Sequence, residues 1–182
     1  GWLREVDLAL VRFVVAEVPE TAPALMLATA LVSHQLGRGH VCLDLESTLN
    51  DPYIVLSLPP EQNETPDQEA VLQPKDLLAG WSTSDWITCL MNPELVNNGE
   101  GKTPLVLIGH RLYLRRYWRY ERQVEAAINT RIANSQRIAE QLPELEFKTA
   151  LGSLFPSSDR KTDWQKVACA LAARSAFSIV TG

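Results

Sequence analysis

Two four-residue runs, Leu105 to Ile108 and Arg111 to Leu114, flank the pair Gly109-His110. No other stretch restricts the fold as tightly. A glycine in that turn can take positive φ, and two apolar-rich runs joined by two residues pair as an antiparallel hairpin. Around it the pattern is helical. Leu3 to Glu17 carries Val6, Leu10, Phe13 and Val14, the spacing of a core-facing helix, and Pro19 ends it. Thr21 can cap a second helix, with Pro23 in its first turn and Leu25, Leu27, Ala28, Leu31 and Val32 along it. Gly37 or Gly39 terminates that helix. His40 to Leu43 is a short strand candidate, and Asp44 to Asn50 a short polar helix or turn closed by Asp51-Pro52.

Further on, Ser84 starts a helix that runs to about Met91, before Pro93, and residues 97 to 101 form a turn cluster. Tyr117 to about Gln141 reads as one or two helices with Val124, Ile128, Ile132 and Ile138 on the apolar side. Leu145 to Leu154 is a further short helix. The expected fold is mainly α, in the α+β class: a helical N-terminal domain over residues 1–156, holding a small hairpin and one further short strand. Residues 58 to 76 hold four prolines among Glu, Asp, Gln and Asn. A stretch this long without periodicity is a variable surface excursion or a contact loop that orders on a partner.

Composition narrows the function classes. A 46% hydrophobic content supports a real core. The net charge of −5 argues against an autonomous nucleic-acid module, whose affinity rests on Lys and Arg neutralising phosphates. It suits a domain that docks against another protein. No apolar run approaches the about 20 residues a membrane helix needs, so no membrane association is expected. Cysteines 42, 89 and 169 have neither metal-ligand spacing nor an even disulfide count, and read as reduced thiols of a cytoplasmic protein.

One segment carries a basic and aromatic mixture. Arg111, Arg115, Arg116, Arg119 and Arg122 interleave with Tyr113, Tyr117, Trp118 and Tyr120. Such a run can stack bases and bind phosphates. It can equally be a strand and helix start whose aromatics face the core and whose arginines pair with Glu121, Glu125 and solvent, or a protein contact. His34, His40 and Cys42 supply only three soft ligands where a structural zinc site takes four, so no metal is expected. His34 is expected near a helix end, where its charge suits the dipole, and His110 in an exposed turn. No serine, cysteine or carboxylate pair forms a nucleophile or acid–base arrangement, so no catalytic residue is expected.

The final stretch has an order of its own. Thr162-Asp163-Trp164-Gln165-Lys166-Val167-Ala168 opens an amphipathic helix, and Phe177-Ser178-Ile179-Val180-Thr181 leads to Gly182. A polar start, a short helix, an apolar β-branched run and a glycine make the lead-in to a phosphate-cradling turn. Phe177 to Val180 reads as a strand for the centre of a parallel sheet, its apolar residues not cleanly alternating with polar ones. Without its neighbours such a strand is expected to be disordered, to pack as a non-strand tail, or to pair with a strand that is not its natural neighbour.

Together with Leu154-Phe155-Pro156, that stretch resembles the RecD-type superfamily 1 DNA helicases. Upstream matches follow in family order: Leu31-x-Ser33-His34 into Gly37-x-Gly39-His40-Val41-Cys42-Leu43, then Thr103-Pro104-Leu105-Val106-Leu107, Gly109-His110-Arg111-Leu112-Tyr113-Leu114, Arg116, Trp118 and Glu121. The match is strongest to the N-terminal region of the RecD subunits of RecBCD helicase–nucleases (exonuclease V). The resemblance implies that residues 157–182 are the first helix and strand of a truncated RecA-like motor domain. The parent would be a 5′→3′ DNA helicase subunit using ATP and Mg in double-strand-break repair and recombination. It implies adenine recognition by Gln165, whose planar carboxamide offers an acceptor and two donors. Without the resemblance, Gln165 reads as an ordinary polar residue on a first helical turn. Gly182 would be the first glycine of the phosphate loop. With that loop incomplete the fragment should be inactive. The implied partners are a RecC-type subunit, on which the N-terminal domain docks, and DNA, reached through the motor domains. The competing reading is an accessory DNA-binding module of winged-helix type, supported by the arginine–aromatic run and the helix–helix–strand opening.

Overall fold

A computed structural model describes residues 2–57, 74–156 and 162–181. They form two compact units, residues 1–120 and 121–182. The fold is mainly helical with one four-stranded sheet. Among the described residues no helix is long and apolar enough to cross a membrane.

The first unit is built around α2 (Pro23–Gly37). Ala22 is its N-cap and Pro23 occupies the first turn, where a missing N–H costs nothing. Thr21 is not the cap as expected: its hydroxyl donates to Val18 O at 2.6 Å and closes the preceding turn instead. Nearly every residue from Ala28 to Gln35 is buried, as in a helix covered on all sides. Helix α1 (Glu5–Glu17) packs along it.

The sheet lies beside α2 in the order β1 (Leu43–Asp44), β4 (Arg111–Leu114), β3 (Leu105–Ile108), β2 (Val96–Asn97). The expected hairpin is present, with Leu107 opposite Leu112, Ile108 opposite Arg111, and Gly109 at φ +59°. β1 pairs antiparallel with β4, and falls on Leu43–Asp44 rather than on His40 to Leu43. β2 pairs parallel with β3, inside what reads in sequence as the approach to a turn. Alternation along the hairpin covers both faces. Leu105, Leu107, Leu112 and Leu114 join the core with Leu25, Leu31 and Val32. Val106 and Tyr113 point to the opposite face, against Trp118.

Short helices complete the unit. Asp44 caps α3 (Leu45–Asn50), accepting from Ser47 N at 2.9 Å. Asp51-Pro52 closes α3 as expected, Asp51 N donating to Ser47 O at 3.0 Å, and it also begins α4 (Pro52–Val55), with Asp51 Oδ1 accepting from Ile54 N. α5 spans Pro74–Leu78, so the end of the Pro-rich stretch is helical, while residues 58–73 lie outside the described residues. Ser82 caps α6 (Thr83–Leu90), which buries Trp86 and Leu90.

One orientation departs from the sequence pattern. The apolar positions of α1 were expected in the core, yet only Val14 and Asp7 are buried, and Val6 and Phe13 face outward. α1 is apolar on most of its circumference, so its periodicity does not choose a face. The hydrogen bonds of Asp7 to Arg4 and Ser33 choose it.

α7 (Arg115–Gln141) is one helix that begins in the first unit and forms most of the second's opening. The second unit adds α8 (Glu144–Leu154) and α9 (Trp164–Ala173), neither with a buried residue. The expected apolar side of α7 is not buried either: Val124 and Ile132 are exposed. Asp163 caps α9 through Lys166 N at 3.0 Å. Phe177 to Thr181 forms neither helix nor strand. A strand needs neighbours for its backbone groups, and the described residues of this unit contain none. The first helix of the expected motor segment is thus formed and its strand is not. Gly182 lies outside the described residues.

Candidate functional site

The arginine–aromatic run resolves into separate roles. Arg115 turns inward at the start of α7 and is buried. Its Nη1 donates to Gly99 O at 2.9 Å, and its Nη2 to Asn97 Oδ1 at 2.6 Å and to Thr103 Oγ1 at 2.8 Å. Its Nε donates to Thr103 O. The guanidinium also lies 5.8 Å from the Trp118 ring centroid. Its hydrogen-bond acceptors are neutral oxygens, so the planar fork acts as a clamp on the 97–103 turn. Burial, then repulsion from Arg119, pulls this guanidinium below its ordinary pKa, opposed by Glu100.

The other arginines are also engaged. Arg111 Nε approaches Asp44 Oδ2 at 3.4 Å, and that hydrogen bond chiefly raises its pKa. Arg116 donates to Tyr120 OH at 2.7 Å and lies 5.4 Å from that ring's centroid. Arg119 donates to Gly101 O at 3.0 Å, and Arg122 meets Glu125 at 2.6 Å. Trp118 and Tyr113 are buried, so they offer no stacking face to a base. The exposed Arg116–Tyr120 pair is the remaining part of the run with the chemistry of a nucleic-acid contact.

His110 stands in the hairpin turn, half-exposed, 3.3 Å from Asp44 Oδ2 and 3.8 Å from Glu46 Oε2. Burial raises the pKa of Asp44, but the Ser47 hydrogen bonds, His110 and Arg111 outweigh it and hold the carboxyl below its ordinary value.

A cluster that residue types alone conceal joins α1 to α2. Asp7 is fully buried. It accepts from Arg4 N at 2.9 Å, Arg4 Nη2 at 2.7 Å and Ser33 Oγ at 2.7 Å. Arg4 Nη2 also donates to Ser33 O at 2.7 Å. Burial pushes the Asp7 carboxyl up; the bonds from Arg4 and Ser33 more than reverse this and set it below its ordinary value. His34 lies in the last turn of α2, near the helix end as expected, and it is buried there. Its Nε2 lies 2.9 Å from Leu56 O, an acceptor, so Nε2 carries a proton. Nδ1 lies 4.0 Å from Asp7 Oδ2, and Trp2 packs edge-on against the ring at 5.6 Å. Gln35 donates to Val55 O at 2.9 Å. A Ser-His pair on a helix with an Asp seven residues from the chain start gives no local motif, and nothing in sequence pairs them.

Gln165 is exposed on the first turn of α9, beside the exposed Trp164. His40 is exposed and Cys42 half-buried. Among the described residues, no group of three or more His, Cys, Asp or Glu could hold a metal ion.

The first unit is thus a cored module in which Arg115 clamps the 97–103 turn and Asp7, Ser33 and His34 are drawn together between α1 and α2. The chain belongs to the family of the RecBCD enzyme subunit RecD N-terminal domain, whose model matches residues 1–113. It is also similar to the RecBCD enzyme subunit RecD of Haemophilus influenzae, 28% identical over 159 residues and covering 86% of this chain. The chain spans about a quarter of that relative's length, 24%.

Proposed function

We propose that this chain is the N-terminal part of a RecD-type 5′→3′ DNA helicase subunit of a helicase–nuclease for double-strand-break repair, and that it docks the motor on a RecC-type subunit. The observation that carries the reading is the family match over the cored first unit, whose arginine run is spent largely on its own backbone and side chains. Charge agrees: residues 1–120 contain fifteen acidic residues against nine Lys and Arg. Residues 157–182 then lead into the ATP- and Mg-dependent motor, with Gln165 facing adenine and Gly182 opening the phosphate loop. The exposure of Gln165 leaves its carboxamide available for that contact. DNA is met by the motor domains.

The exposed Arg116–Tyr120 pair favours the rival reading, an accessory DNA-binding module. Arg116→Ala/Tyr120→Ala in the intact protein separates the two. On the docking reading, DNA affinity changes less than twofold over a salt series. A tenfold loss with a reduced salt slope supports the rival.

A further inference from the structure

Helix α1 is inverted relative to what a surface helix does. It buries an aspartate and turns apolar residues outward. Val6 is 59% exposed and Phe13 58% exposed. Ala9 and Ala16 are exposed too, and Leu10 is half-buried. These positions follow i, i+3, i+4, i+7 and i+10, so they form one stripe, about 15 Å long at 1.5 Å per residue. The inversion is fixed: Asp7 is held to Arg4 and Ser33, and α1 cannot roll the stripe inward without breaking those bonds.

The stripe runs into a groove of about 420 Å³. Its lining is apolar at Phe13, Val18, Leu95 and Pro104 and charged at Glu17, Glu94 and Lys102. Glu5 lies at the other end of the stripe, 3.8 Å from Arg12. Arg12 is thus drawn to Glu5, and at the groove two carboxylates face a single Lys102. The groove's charged lining, Glu17 and Glu94 against Lys102, is acidic by one charge. This matches a partner that brings an apolar side chain flanked by Lys or Arg.

We propose that the α1 stripe and this groove are the surface on which the RecC-type partner docks, by a segment with an apolar anchor and basic flanks. This rests on the docking reading above. The test measures affinity of the intact protein for the purified RecC-type subunit by interferometry, for wild type, Phe13→Asp, Phe13→Gln and Glu17→Lys/Glu94→Lys. Phe13 is outside the core, so the folds should survive, and Phe13→Gln keeps a helix-compatible side chain should the Asp variant not fold. Tenfold or greater weakening by the Phe13 variants is expected. The charge reversal should weaken binding mainly by slowing association, more at low salt. Wild-type binding with both Phe13 variants within twofold overturns this surface but leaves docking intact. If wild type shows no affinity for the subunit, the docking reading falls and the surface with it. A homodimer that Phe13→Gln dissolves, with heterocomplex affinity unchanged, assigns the stripe to a second copy and also overturns the proposal.

Discussion

Asp7 ties α1 to α2 through one carboxylate, and its neighbours make its protonation a stability switch. Its folded pKa is depressed, so its contribution is complete above the ordinary carboxylate value near 4 and is lost as pH falls through the folded value. Asp7→Asn should therefore lower stability at pH 7 by about 2–3 kcal/mol, since it leaves Arg4 without its partner beside a buried site. The loss should shrink as pH falls below 4. Urea midpoints at pH 7 and pH 3 check the sign: a constant difference contradicts it. Gly37 belongs to the same cluster. A Cβ there would lie 1.8 Å from Arg4 Nη1, so Gly37→Ala must push the guanidinium aside. In the Arg4→Ala background that clash is gone and helix propensity favours alanine. Gly37→Ala should then be neutral or stabilising, with a coupling of about 1 kcal/mol or more in a double-mutant cycle.

Among the elements, the hairpin was legible from two apolar-rich runs about a tight glycine turn, α2 from Pro23 in its first turn and the apolar run behind it, and α7 from a 3.6-residue period. β1 and β2 each have two residues, too few for any period, and exist because β4 and β3 offer edges to pair with. The facing of α1 was hidden for another reason. Its apolar residues surround it, and the buried Asp7, which no local motif marks, holds the orientation. Arg115 repeats the lesson: arginine reads as surface, yet this one clamps the 97–103 turn. Arg115→Met should therefore destabilise by about 2–4 kcal/mol, because several buried acceptors lose their donor at once. Arg116→Ala and Arg119→Ala, both exposed, should stay within about 0.5 kcal/mol of wild type. Thermal unfolding of the three variants distinguishes them. Comparable losses would mean the run acts as one surface patch. The adenine role proposed for Gln165 rests on resemblance alone, and its exposure on α9 is what any first-turn glutamine would show. In the intact protein, Gln165→Ala should raise KM for ATP with the fold unchanged. An altered adenine contact is worth about 1–3 kcal/mol, and GTP use should suffer less. Unchanged KM and nucleotide preference would make Gln165 a surface residue.

At the scale of the molecule, the first unit has a core and the second has helices without buried residues. The acidic excess belongs to the first. The central claim is that the module binds protein in preference to DNA. The direct measurement is fluorescence anisotropy of the labelled intact protein. It is titrated in parallel with the RecC-type subunit and with single- and double-stranded DNA at physiological salt. Docking predicts submicromolar affinity for the subunit, and DNA affinity that Arg116→Ala/Tyr120→Ala leaves unchanged. No affinity for the subunit, with micromolar or tighter DNA binding that this double variant abolishes, would contradict the account.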